Sequence, residues 1–246
     1  MRYKVTVAYD GSNYFGWQSQ VDVVNIQDVI EEALRIIHKR EVRITGSGRT
    51  DRGVHARGQV FHFDTELNIS EENWVKAFNA NLPHDIRVLK VEAVSERFHA
   101  RYDVVSKQYD YYLNMGEYDL FQRDYVTQVC EKLDVEKMRD AREVFLGTHD
   151  FSSFSANSFE ETPDQVRTVH SIDITQEGDI LRFSFLGNGF MRYMVRMMMG
   201  VLIEVGKGKL TKEDVQKILE ARSKTAHRYK AESVGLYLTK VNYPLD

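Results

Sequence analysis

The 246-residue sequence predicts an α+β fold of two β-α-β-β-α-β halves of the RRM or ferredoxin-like kind. The halves are expected to join into one mostly antiparallel sheet, with helices outside and a central cleft. Three observations carry this. Runs of alternating polar and apolar residues, the period of a half-buried strand, recur along the chain. They are separated by segments whose apolar residues fall at helical spacing. The order of the two patterns in residues 1–102 then returns in residues 103–246 without repetition of the sequence itself.

In the first half, residues 3–9 alternate as a strand and Asp10-Gly11-Ser12-Asn13 reads as a turn. Residues 26–38 place Ile26, Val29, Ile30, Ala33, Leu34 and Ile37 on one helical face. Residues 41–45 read as a short strand, 46–57 as a glycine-rich loop, and 59–64 as a strand whose Val60, Phe61 and Phe63 cover a sheet. Ser70, followed by Asn73, Trp74, Ala77 and Phe78, predicts a capped helix, and 86–94 closes the half as a strand. In the second half, strands are expected at 104–113, 165–175, 180–186 and 236–241, and helices at 135–146, 190–205 and 212–222. Gln176-Glu177-Gly178-Asp179 marks a hairpin turn between two alternating runs.

Composition narrows the function classes. Hydrophobic residues at 42%, charged residues at 28% and only three prolines exclude a disordered or fibrous chain. Cys130, the single cysteine, excludes an internal disulfide framework and a cysteine-cluster metal site, and it fits a reducing cytoplasm. Residues 1–10 lack the apolar stretch of a signal peptide. The longest apolar run, 190–205, is interrupted by Arg192, Arg196 and Glu204 and is too short to cross a bilayer, so no membrane association is expected. The net charge of -4 argues against a uniformly basic nucleic-acid binder, but charge is polarised along the chain. Acids crowd 64–72, 117–124 and 131–143, whereas 180–203 contains none and holds Arg182, Arg192 and Arg196. Further basic clusters are Arg49, Arg52 and Arg57, then Arg97, Arg101 and Lys107, then Arg222, Lys224, Arg228 and Lys230. One face could therefore meet a polyanion despite the acidic total.

Three segments could carry chemistry. Residues 46–56 hold one carboxylate, Asp51, among Arg49 and Arg52 and three glycines, which permit close backbone approach to a ligand. A solvated loop with an Asx turn is the other reading; a phosphate-cradling loop is not, because no Lys-Ser or Lys-Thr follows and no helix starts there. Residues 188–200 form an apolar segment carrying Arg192 and Arg196, four positions apart, expected one helical turn apart. A guanidinium there is costly unless it reaches solvent or meets a carboxylate or phosphate, and pairing Asp51 with Arg196 resolves the surroundings of both. Along 106–112, Tyr109 and Tyr111 share one strand face and could stack a nucleobase or fill a core. His62 with Asp64, or His149 with Asp150, lacks a third ligand at matching spacing, so no metal is expected. Cys130, on a strand-like stretch away from any histidine partner, is not expected to act as a nucleophile.

These segments also resemble a known family along essentially the whole chain. Tyr9-Asp10-Gly11-Ser12 with Tyr14, Gly16, Trp17, Gln18 and Gln20 is similar to the opening of the TruA family of tRNA pseudouridine synthases, and Gly48-Arg49-Thr50-Asp51 with Gly53-Val54-His55-Ala56 is similar to its catalytic loop. The later blocks follow in order: Asn79-Ala80-Asn81-Leu82-Pro83, Phe98-His99-Ala100-Arg101, His149-Asp150-Phe151-Ser152-Ser153-Phe154, Met194-Val195-Arg196 with Gly200, and Gly235-Leu236-Tyr237-Leu238.

The resemblance implies the pseudouridine synthase fold and a cytoplasmic, cofactor-free homodimer that converts uridine to pseudouridine at positions 38 to 40 of the tRNA anticodon stem-loop. It also implies that Asp51 is the nucleophile, Arg196 its ion-pair partner, Tyr109 the active-site tyrosine that stacks the base or moves a proton, and Arg49 the residue that displaces the base. Arg52, Arg101, Lys107, Arg192 and Leu236 would complete the substrate contacts. Gln108 and Asp110 depart from the family's common Ser or Thr and basic residue, which is expected to change the RNA surroundings of Tyr109; Arg192 and Met197 stand where histidine and asparagine are common. A paralogue acting on other uridines and a catalytically silent RNA-binding protein are the alternatives, and the intact Asp51 favours an enzyme.

Overall fold

The structure, a computed structural model, describes residues 1–244. The chain forms two compact units, Met1–Val105 with the chain from Tyr237 onward, and Ser106–Leu236. Among the described residues there are ten strands and five α-helices, and strand pairing is mostly antiparallel, a mixed α+β fold.

In the first unit, β1 (Arg2–Tyr9) lies between β4 (Ile86–Val94) and β3 (His55–Asp64), antiparallel to both. The two-residue β2 (Thr45–Gly46) pairs antiparallel with β3. The helices are α1 (Ile26–His38) and α2 (Glu71–Asn81). Alternation along β1 buries Tyr3, Val5, Val7 and Tyr9 in a core completed by Phe61, Phe63, Ile30, Leu34, Trp74 and Phe78. Each such buried side chain contributes roughly 1.5–3 kcal/mol of transfer free energy. Both helices start where a side chain accepts an otherwise orphaned N–H: Asn25 from Asp28, and Ser70 from Asn73 as its spacing predicts.

In the second unit the strand order is β5 (Ser106–Asn114), β9 (Ile180–Gly187), β8 (Val166–Glu177) and β7 (Gly147–Asp150), all antiparallel neighbours. The short β6 (Thr127–Gln128) runs parallel to β5. Tyr111, Leu113, Leu181, Phe183, Phe185, Ile172 and Ile174 form the buried face. Helix α4 (Met194–Gly206) is buried around most of its circumference, which explains its apolar sequence without a membrane. Helices α3 (Val135–Ala141) and α5 (Lys212–Glu220) complete the unit, α5 opening on a reciprocal Thr211–Asp214 capping box.

Several expected elements shift, each for a tertiary reason. The strand expected at 41–45 shrinks to β2 because the Glu31 carboxylate accepts from the Ile44 N–H and from Arg43, which ties this backbone to α1 instead of the sheet. The helix expected at 135–146 tightens into a 3-10 turn at Arg142–Phe145, where Arg139 and Arg142 donate to the carbonyls of Ile174 and Ile172 on β8. The helix expected from 190 starts at Met194. Arg192 N–H donates to Asn157 Oδ1 and Arg192 C=O accepts from Ala156, so Arg192 is held outside the helix and is not one helical turn from Arg196. The last strand, β10 (Leu236–Asn242), read within a 103–246 half, runs parallel to β3 with Tyr237 opposite His55, so the chain returns to the first unit. Cys130 is not on a strand; it is exposed in a left-handed backbone conformation with φ of 54°.

His62 is buried on β3, its Nδ1 accepting from the Ala100 N–H at 3.1 Å. Burial, and then the charge of Arg2, hold its pKa down at about 4. The unfolded chain takes up a proton near pH 6.5 that the folded imidazole refuses, so the stability contributed is full above pH 6.5 and is lost as pH falls toward 4. Urea unfolding is therefore expected to show a steeper loss of stability between about pH 6.5 and 5 in the parent protein than in His62→Gln. Equal slopes would contradict the assignment.

Candidate active site

The loop between β2 and β3 carries Arg49, Asp51 and Arg52, and its conformation is set from both sides. On the strand side, Ser47 N–H donates to Val60 C=O and Ser47 Oγ to Gln59 Oε1 at 2.6 Å, while the fully buried Gln59 returns its Nε2 to Gly48 C=O at 3.1 Å. On the other side lies the segment that follows β1. Tyr9 OH and Thr50 Oγ1 share a buried hydrogen bond of 2.8 Å, Trp17 N–H donates to Thr50 C=O, and Gly53 N–H donates to Tyr14 C=O. Burial pushes the Tyr9 hydroxyl well above its ordinary pKa, so it remains a neutral hydrogen-bonding group. A turn bond from Val54 N–H to Asp51 C=O at 3.1 Å closes the loop directly behind the half-buried Asp51.

Close approach makes this possible. Gly16, at φ of 89°, packs so tightly that a Cβ there would sit 2.5 Å from Thr50 O and 3.1 Å from the Asp51 carbonyl carbon. The opening motif and the Asp51 motif, separate in sequence, are thus two faces of one backbone contact.

Among the described residues, the exposed cations Arg49 and Arg52 are held by an amide and a ring. Arg49 Nε donates to Gln18 Oε1 at 2.9 Å, and Gln18 is itself fixed by donating to Gln27. The Arg52 guanidinium lies 4.2 Å from the centroid of the Phe15 ring. His55 is a supporting residue that the sequence showed only as part of a motif. It is buried, accepts at Nδ1 from the Gly11 N–H at 3.1 Å, and stacks on Tyr237 at 4.7 Å, which joins β10 to the base of the loop. Arg101 is exposed in the turn after β4, its guanidinium 5.9 Å from the Tyr102 ring.

In the second unit, Tyr109 and Tyr111 share the core face of β5, opposite Phe185 and Phe183. Tyr109 is 8% exposed and meets Phe190 edge to face at 5.4 Å, whereas Tyr111 is fully buried. Gln108 and Asp110 are engaged within the sheet. The fully buried Asp110 accepts from Arg182 at 2.8 Å and from Gln108 at 3.2 Å, and Gln108 also donates to Ser184. The carboxylate is thus matched by a cation on β9.

Arg196 sits in the first turn of α4. Its Nε donates to Ala231 C=O at 2.9 Å while its own carbonyl accepts from Ala231 N–H, a reciprocal latch that directs the guanidinium. Arg192 is exposed and Arg196 half-buried. Lys107 is half-buried on β5, and Leu236, 4% exposed at the start of β10, is a packing residue by its burial. Among the described residues no group of three His, Cys, Asp or Glu side chains is arranged to hold a metal ion, and no helix is long and apolar enough to cross a membrane.

The Gly16 contact predicts a specific cost. Gly208 also has positive φ, 72°, but open space around its Cβ position, so Gly208→Ala bears only the backbone strain of about 1–2 kcal/mol. Gly16→Ala must in addition push the Asp51 loop away, adding about 1–3 kcal/mol. Thermal midpoints should fall in the order parent, Gly208→Ala, Gly16→Ala; similar midpoints for the two variants would remove the clamp.

Comparison with known proteins agrees with these motifs. The family model described as tRNA pseudouridine synthase matches residues 5–103 and 141–244. The tRNA pseudouridine synthase A of Oceanobacillus iheyensis is 46% identical over 244 residues, covering 98% of this chain and 96% of the relative. Those of an Exiguobacterium species and of Bacillus licheniformis are 46% and 44% identical over 242 and 246 residues, covering 98% of each chain in the first case and 99% of each in the second. With the Asp51 loop built into its opening segment and similarity running the length of the chain, this protein belongs to the tRNA pseudouridine synthase family, enzymes that isomerise uridine to pseudouridine.

Proposed function

We propose that this chain acts on uridines 38, 39 and 40 in the anticodon stem-loop of tRNA, as a cytoplasmic homodimer without a cofactor, with Asp51 as the nucleophile. The observation that carries the reading is the placement of a single carboxylate on a loop whose backbone is fixed from both sides. The reaction breaks the C1'–N1 bond, turns the uracil within the pocket and joins C1' to C5. The proton displaced from C5 is balanced by one gained at N1, so no atom is lost and no oxidant or reductant is required. A carboxylate can serve by attacking C1', by adding at C6, or by assisting elimination to a glycal, and in each case it must be ionised.

Arg196 supplies the counter-charge in this reading. Opposite charges roughly 4 Å apart gain about 4 kcal/mol at an effective dielectric of about 20, before desolvation is set against them. In this reading Nε of the guanidinium serves the Ala231 carbonyl and the terminal N–H groups serve Asp51. Tyr109 stacks the base or moves a proton, and Arg52, Arg101, Lys107 and Arg192 meet phosphates, with Leu236 supporting the site from the interior.

The test is incubation with unmodified tRNA transcripts, followed by mapping pseudouridine with a chemical adduct that stops reverse transcription. Stops at 38, 39 and 40 are expected with the parent protein. Asp51→Asn is expected to lose at least about 100-fold in rate while retaining tRNA binding. Stops at other uridines would overturn the positions, and turnover by the Asn variant above that level, with deamidation excluded, would overturn the nucleophile.

Arg49 is assigned the space that the displaced base vacates. Leaving a stack costs a few kcal/mol, least where the base is already unpaired. Arg49→Ala should therefore lower turnover more on the folded stem than on a flexible single strand carrying the same uridine. Proportional loss on both substrates would assign Arg49 to a phosphate instead.

A further inference from the structure

The second unit gathers positive charge on one ring, and two of its members, Lys230 and Tyr193, have no part in the proposed chemistry. Three cations converge on the Tyr193 ring: Lys230 at 4.4 Å from its centroid, Arg192 at 4.9 Å and Arg196 at 5.1 Å. Arg192 also donates to the Tyr193 hydroxyl at 3.2 Å. Arg196 is engaged by the Ala231 carbonyl, but among the described residues Arg192 and Lys230 form no ion pair, and both are exposed.

The gathering is built by the backbone on both sides. Tyr193 is held at φ of 64°, a left-handed conformation that costs a non-glycine residue of order 1–3 kcal/mol. Arg192 is fixed by its main-chain bonds to Ala156 and Asn157. Lys230 is fixed because its backbone lies directly on Gly200 of α4, where a Cβ would come within 2.6 Å of Lys230 N. Helix α4 begins here with no side chain capping its first turn, so its terminal N–H groups and partial positive charge add to the same spot. Like charges brought together on one ring repel unless an anion joins them, and the aromatic face offsets only part of that repulsion.

We propose that Arg192 and Lys230, gathered on the Tyr193 ring at the start of α4, form a seat for one phosphate of the RNA backbone. The proposal rests on the reading of RNA as substrate given above. Two cations held on one ring and a helix N-terminus suit the two non-bridging oxygens of one singly charged phosphodiester. Tyr193 is the positioning residue: its ring keeps two flexible side chains on one point.

The experiment measures affinity of the full-length protein for a tRNA transcript across a salt series. Arg192→Gln/Lys230→Gln is expected to weaken binding roughly ten-fold and to reduce the slope of log affinity against log salt by about 0.7 to 0.9, one phosphate's worth. Each single substitution should cost less than the pair, because the remaining cation still meets the phosphate. Tyr193→Leu should lower the slope and Tyr193→Phe should not, which separates the ring from mere folding; thermal midpoints of the exposed Arg192 and Lys230 variants should match the parent. An unchanged slope in the double variant would overturn the seat, as would a slope reduced by about two phosphates' worth, which means two separate contacts. A parent protein that binds tRNA with the expected slope changes yet forms no pseudouridine would support the seat and overturn the isomerase reading instead.

Discussion

A Cβ at position 16 would strike the carbonyl of Thr50, so the segment after β1 and the loop bearing Asp51 can lie against each other only with glycine there. That contact decides much else. It lets the buried Tyr9 hydroxyl reach Thr50 and lets Trp17 and Tyr14 exchange backbone bonds with the loop, which satisfies main-chain groups that a water-facing loop would leave to solvent. The role proposed for Asp51 gains from such anchoring, because a loop free to fluctuate would lose the orientation between carboxylate and bound substrate. Gln59 does the same from the strand side, reaching back to Gly48 from a fully buried position. The cost of burying its amide is met because both ends of the amide are hydrogen-bonded.

The second unit solves a related problem with charge. Arg196 would be expensive in an apolar helix if it had to find its own geometry, but the Ala231 latch fixes it through two bonds between the same pair of residues. Gly200, one turn further along α4, lets the chain carrying Lys230 and Ala231 lie directly on the helix, and so the latch and the placing of Lys230 share one packing feature. Isomerisation of a nucleoside without release asks for this kind of support. The protein must hold a detached base while it turns, and rigid main-chain anchors hold better than long side chains with many rotamers.

Much of this was legible in the sequence where a local signal and the tertiary structure agreed. Helix α1 and strand β4 have the bounds that their periodicity implies, and Ser70 caps α2 as its spacing requires. Errors arose where a distant group competed for the backbone: Glu31 for residues 43–44, and Asn157 for Arg192. Strand β6, at two residues, and β7, at four, are too short to show a period. In the site, Asp51 was conspicuous because a lone acid among arginines and glycines is chemically odd. His55 and Gln59 were not, because a buried polar residue declares its role only through partners that lie far away in sequence.

The charged residues Asp110 and Arg192 fall into two physical kinds. Asp110 pairs with Arg182 and also accepts from Gln108, so its charge is neutralised where it occurs. Removing Arg182 would strand the fully buried Asp110 carboxylate at a cost of about 3–5 kcal/mol, whereas Arg182, 42% exposed, turns to solvent if Asp110 is removed. Arg192 is the opposite case. It brings an exposed charge with no carboxylate partner among the described residues, onto a ring that already carries two more cations. A charge that the fold neutralises is spent within the fold, whereas one left as net charge at the surface acts on whatever approaches from solvent. The chain thus keeps the charge of Asp110 self-contained in the strand beside Tyr109 and leaves that of Arg192 exposed at the start of α4, where the proposed phosphate seat lies.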